Sequence, residues 1–78
     1  MKDQIRKIMA DVFQVDESQL KENFTQEEVT NWDSLRHLNL IVELEEAFNV
    51  SYEPEEIAEM TSFEKVLELT QIKSGQNV

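Results

Sequence analysis

A single glycine and a single proline in 78 residues leave this chain almost no material for tight turns. Hairpin-rich folds need such residues at nearly every reversal. Here they stand far apart, at Pro54 and Gly75. Leu, Glu, Lys, Gln and Met, all good helix formers, are abundant instead. The chain is expected to be all-α.

Hydrophobic spacing turns that expectation into elements. Ile5, Ile8, Met9, Val12 and Phe13 recur at the positions of one helical face and predict a first helix from Asp3 to Val15. Residues 16–32 have no sustained period. Leu20, Phe24, Val29 and Trp32 are isolated apolar anchors there, so a long loop pinned to the core is expected. Thr25 with Glu28 fits a capping box and predicts one short helical turn inside the loop. A second helix is expected from Ser34 to Phe48, ending at Asn49. Its apolar residues cover more than half the circumference, which predicts packing on several sides, with Arg36, Asn39, Glu43 and Glu46 as a polar stripe. Pro54 suits the first turn of a short third helix. Thr61 with Glu64 predicts the cap of a fourth, with Phe63, Val66, Leu67 and Thr70 facing inward. It should end near Lys73, leaving residues 74–78 as a frayed tail. The whole is one domain over residues 1–78, a small four-helix bundle with a long first loop and a short third helix.

Charge and cysteine content bound the function. There is no cysteine, which excludes disulfides and thiolate metal sites, and no metal site of another kind is expected. Asp3, Arg6 and Lys7 interrupt the first apolar residues, so no signal peptide is read, and no run is long enough to span a membrane. A cytoplasmic monomer is expected. The formal net charge of −10 argues against nucleic acid as a partner. Residues 16–59 hold thirteen acids and two bases, a net −11, while the two ends together carry +1. Such a segment is either a solvated surface or a docking surface for basic partners.

At the centre of that segment stands Asp33-Ser34-Leu35, where the second helix begins. Taken alone, either Asp33 or Ser34 reads as a helix cap, which leaves the other without a structural duty. A catalytic set of Ser34, His37 and Asp33 has suitable helical spacing. It lacks a glycine-rich turn to build an oxyanion hole, and a domain this small has little room for an enclosed cleft. A calcium loop starting at Asp16 fails, because Leu20 and Lys21 fall where a polar ligand and the turn glycine belong. The remaining reading is a modification site. A phosphodiester on Ser34 would face the positive end of the helix, and an external transferase would supply the base.

The stretch WDSLRHLNLIVELEEAFNV, residues 32–50, resembles the acyl carrier proteins. The likeness extends over the long loop, LEEAFNV at the end of the second helix and the short helix after Pro54. In that family an Asp-Ser-Leu triplet opens the second helix, and its serine receives 4′-phosphopantetheine from coenzyme A. The resemblance implies that Ser34 is the attachment site and that the arm's thiol carries acyl groups as thioesters. It implies that Asp33 helps to dock a phosphopantetheinyl transferase and assists at the modification site. Leu35, Leu38 and Val42 would form the apolar part of the partner surface, and Glu45 and Glu46 its acidic part. The remaining partners would be acyl-loading and acyl-transferring enzymes with basic docking surfaces. The chain would be a discrete carrier and not an enzyme. Asn31 stands where many members have glycine, and asparagine tolerates the left-handed turn expected there. Trp32 would pack over the base of the arm. Arg36 and Asn39 replace acids usual in fatty-acid carriers. That difference points to a dedicated pathway: a secondary metabolite, a modified surface polysaccharide or an activated amino or hydroxy acid. The competing reading is an acidic helical adaptor for a basic protein, with no prosthetic group. Ser34 separates the two.

The concentration of negative charge has a consequence for stability. Self-repulsion within residues 16–59 destabilises the compact state at low ionic strength. The melting temperature is expected to rise from low to moderate salt, and a scan that stays flat or falls would contradict this.

Overall fold

The first helix, α1 (Lys2–Phe13), stops where Gln14 turns left-handed, at φ 56° and ψ 46°. That turn sends the N–H of Val15 back to the carbonyl of Ala10 at 3.0 Å, a closure that satisfies a terminal carbonyl. The helix therefore ends short of the expected Val15. The same closure ends α2 (Ser34–Phe48), with Asn49 at φ 54° and the N–H of Val50 on the carbonyl of Glu45. Pro54 begins α3 (Pro54–Glu59) as expected, and the Glu56 carboxylate accepts the N–H of Glu53 at 2.7 Å. In α4 (Phe63–Ser74) the cap is Ser62 and not Thr61. Its hydroxyl accepts the N–H of Lys65, while the N–H of Glu64 goes to the Asn23 side chain across the bundle. A tertiary bond thus displaces the local cap by one residue. Gly75, at φ 78°, terminates α4. This computed structural model describes residues 1–75, so only the start of the expected tail, helical Ser74 and the capping Gly75, falls within it.

The loop between α1 and α2 is held at both ends and in the middle. A 3-10 turn at Glu17–Gln19, which the sequence pattern does not announce, opens it. At Thr25 the expected helical turn is present as a single hydrogen-bonded turn, with Thr25 N–H on Glu28 Oε1 at 3.0 Å. Arg6 of α1 clamps the middle. Its guanidinium donates to the carbonyls of Lys21 and Glu22 and lies 4.5 Å from the centre of the Phe63 ring. The loop backbone then pairs with the start of α4, Phe63 N–H on Phe24 O and Gln26 N–H on Thr61 O, both at 2.8 Å.

Three of the loop anchors, Phe24, Val29 and Trp32, are buried, and Leu20 is half-buried against them. They join Ile5, Met9 and Phe13 of α1, Leu40, Ile41 and Leu44 of α2, and Phe63 and Val66 of α4 in one core. Four helices and no strand are present among the described residues. One expectation fails. The second helix is not packed on several sides, because only Leu40, Ile41 and Leu44 are buried along it. A short third helix cannot cover the remaining apolar residues.

Tyr52 closes the turn between α2 and α3. Its ring is buried, its hydroxyl bonds the buried Thr70 of α4, and its N–H donates to Glu45 Oε2 at 3.0 Å. Burial pushes the phenol upward from its ordinary value, and the bond to Thr70 opposes this only in part. The folded chain therefore holds this proton more tightly than the unfolded one. The contribution is complete below the ordinary tyrosine value of about 10 and is lost as pH rises through the folded value. Since Tyr52 is the only tyrosine, ultraviolet difference absorbance reads it alone. Its midpoint in the folded protein is expected above that of the denatured chain; an equal or lower midpoint would contradict the effect of burial.

Candidate functional site

Asp33 and Ser34 divide the work that either could have done. Asp33 has extended backbone, at φ −100° and ψ −176°, and its Oδ1 accepts the N–H of Arg36 at 2.9 Å. It is the helix cap, and its carbonyl takes the first helical bond, from His37 N–H at 2.8 Å. Ser34 is the first residue of α2 and is exposed. Among the described residues its hydroxyl makes no hydrogen bond, and the N–H groups of Ser34 and Leu35 make none either. A free hydroxyl thus sits beside open donors at the positive end of a helix, a setting that suits an attached phosphodiester.

Three residues around the serine have duties other than those expected. Asn31 is not left-handed; only Gln14, Asn49 and Gly75 have positive φ among the described residues. Its amide instead donates to the carbonyl of Phe13 at 2.8 Å, tying the loop to the end of α1. Trp32 does not lie over Ser34. It is 3% exposed, stacks on Phe13 with ring centres 4.7 Å apart, and meets the Phe24 edge at 6.2 Å. An indole this large gains more from the core than from a solvent-facing position. Arg36 donates through Nη1 to the carbonyl of Val12 at 2.8 Å and is half-buried, so it is a tether between α2 and α1. A substitution there changes packing as well as charge.

His37 is half-buried and fully employed. Its Nδ1 accepts the Trp32 Nε1–H at 2.9 Å, and its Nε2 lies 2.8 Å from the Ile57 carbonyl of α3. Neither nitrogen is left to activate Ser34. No local pattern announces this bridge, since its ends lie in a loop and in another helix.

The other residues expected at a partner surface separate into two groups. Leu35, Leu38 and Val42 are 69%, 57% and 51% exposed, a row of apolar side chains left in water below Ser34. Core packing, their ordinary explanation, does not apply. Glu46 is exposed and available beside them. Glu45 is half-buried and accepts the N–H of Tyr52, so it braces the turn before α3 and is not a free docking charge. The open groove between α1 and α2, about 380 Å³ in volume, is lined by Ile8, Val12, Arg36, Asn39 and Glu43 among others, and Ser34 takes no part in it.

A family model described as "Phosphopantetheine attachment site" matches residues 3–70. The search of curated proteins found no match.

The division between Asp33 and Ser34 is measurable. Asp33→Ala removes the cap and is expected to cost about 0.5–2 kcal/mol. Ser34→Ala removes no hydrogen bond and should leave stability nearly unchanged. Thermal melts of the two variants check this, and a Ser34→Ala protein as destabilised as Asp33→Ala would reverse the assignment.

Proposed function

This chain belongs to the phosphopantetheine attachment site family, and on that premise we propose that Ser34 is the residue that carries the arm. Proteins of this family are carriers and not catalysts, and they hold 4′-phosphopantetheine covalently. The observation that carries the assignment is the free, exposed hydroxyl of Ser34 at the start of α2, released from capping by Asp33. The chain has no cysteine, so the thiol that forms the thioester comes with the arm. Ser34 offers the nucleophilic oxygen. Asp33 holds the helix start rigid, and the open N–H groups of Ser34 and Leu35 face the phosphodiester once it is made. The base belongs to the transferase.

The cargo in this reading is an acyl or related group held as a thioester. Its enzymes approach along α2, with Leu35, Leu38 and Val42 as the desolvated contact and Glu46 as acidic rim. Carrier domains of this family work with phosphopantetheinyl transferases and biosynthetic enzymes in general. Arg36 keeps its place at the rim of that surface, but its bond to the Val12 carbonyl makes it a weak guide to the choice of pathway.

The decisive measurement is intact mass after incubation with coenzyme A and a broad-specificity phosphopantetheinyl transferase. One phosphopantetheine is expected on the native chain and none on Ser34→Ala. Ser18, Ser51, Ser62 and Ser74 should stay unmodified, because none stands free at the start of a long helix. An unchanged native mass, or labelling that survives Ser34→Ala, would refute the assignment.

A further inference from the structure

We propose that His37 is a positioning residue for the modification of Ser34, acting through Trp32. The inference rests on the assignment of Ser34 above.

The hydrogen bonds decide which atom of the imidazole carries the proton. An indole N–H can only donate and a backbone carbonyl can only accept. Trp32 Nε1–H therefore requires a bare Nδ1 on His37, and the Ile57 carbonyl requires Nε2–H. Only one form of the imidazole satisfies both bonds, and each bond selects the form that the other needs. The α3 carbonyl thus sets the acceptor that holds Trp32.

Trp32 stands two residues before Ser34. Its indole is buried between Phe13 and Phe24 and meets the His37 ring edge to edge through the bond to Nδ1, with centres 6.0 Å apart and planes at 27°. No buried side-chain N or O atom lacks a partner among the described residues. Removing His37 would leave the Trp32 N–H as the exception, at a penalty that favours rotation of the indole toward water. Asp33 alone separates Trp32 from Ser34, so the backbone shift that lets the indole turn reaches the serine through one residue. The Asp33 cap on Arg36 has to move with it. Leu38 and Val42 lie further along the same helix, which is held by the buried Leu40, Ile41 and Leu44, so that part of the docking surface stays in place.

This separates orientation from binding. A transferase would still dock, and would find the hydroxyl displaced. Misplacement by about 1 Å can cost up to a hundredfold in rate.

The test uses His37→Ala, His37→Asn and His37→Gln in steady-state kinetics of Ser34 modification. His37→Ala is expected to lower kcat about tenfold with KM nearly unchanged. The Asn side-chain oxygen lies close to where Nδ1 was and can still accept from Trp32, so His37→Asn should recover most of the rate. The Gln amide reaches toward Ile57 and leaves Trp32 unpaired, so His37→Gln should stay slow. Trp32 is the only tryptophan, and its emission should shift in the Ala and Gln proteins and not in the Asn protein. If His37→Ala unfolds by circular dichroism, the Asn and Gln pair carries the comparison. A native kcat in the slow variants, a change in KM alone, or recovery by Gln in place of Asn would overturn the proposal. A native chain that takes no arm would overturn the carrier assignment itself, and this inference with it.

Discussion

The burial of Trp32 is the constraint on which the rest of this structure depends. A long loop costs conformational entropy, and it has few regular backbone bonds to offset that cost. Here the offset is aromatic: Phe13 stacks on Trp32, Phe24 meets its edge, and Phe24 in turn stacks on Phe63 at 5.4 Å. One chain of rings joins α1, the loop and α4. Because Trp32 ends the loop, its seat in the core fixes where the chain emerges and where α2 begins. The position of Ser34 is in this sense a property of the core.

Beyond Trp32, labour is divided among neighbours. Asp33 caps, Ser34 is left free, Leu35 faces water, and Arg36 and His37 reach back to α1 and α3. Five consecutive residues have five different duties. The helix period explains part of this, since His37 falls within the buried stripe of Leu40, Ile41 and Leu44 and Arg36 on its flank. The remainder comes from what lies across from each side chain.

That distinction also explains what is legible in the sequence. The helices are readable because their signals are local. Apolar spacing locates α1 and α2, Pro54 marks α3, and Asn49 marks the end of α2. Two helix ends differ from the pattern, at Val15 and Thr61. They are decided by a left-handed Gln14 and by a bond from Glu64 to Asn23 on the far side of the bundle. The serine is legible from its triplet, but the choice between Asp33 and Ser34 as cap is not, since both are good caps. Arg36 and Glu45 read as surface residues by their charge, while Trp32 reads both as a core anchor of the loop and as a cover for the base of the arm, and only the first holds. Each is held by a partner distant in the chain or beyond its own helix, a Val12 carbonyl, a Tyr52 amide and a Phe13 ring. Periodicity also overstates the burial of α2, since a pattern records which residues are apolar and cannot say how many neighbours are available to cover them.

The uncovered row of Leu35, Leu38 and Val42 has a consequence for how copies of this chain behave toward one another. Apolar side chains standing together in water are an invitation to self-association. Two copies meeting through that row would each bring a formal charge of −10. The facing acids would come within the screening length of about 8 Å at physiological ionic strength, where salt no longer hides one from the other. The acidic surface thus serves as colloidal protection for the apolar row beside it. A protein of opposite sign meets no such barrier. The same side chains that keep two copies apart admit a basic stranger, and sorting by sign precedes any test of shape.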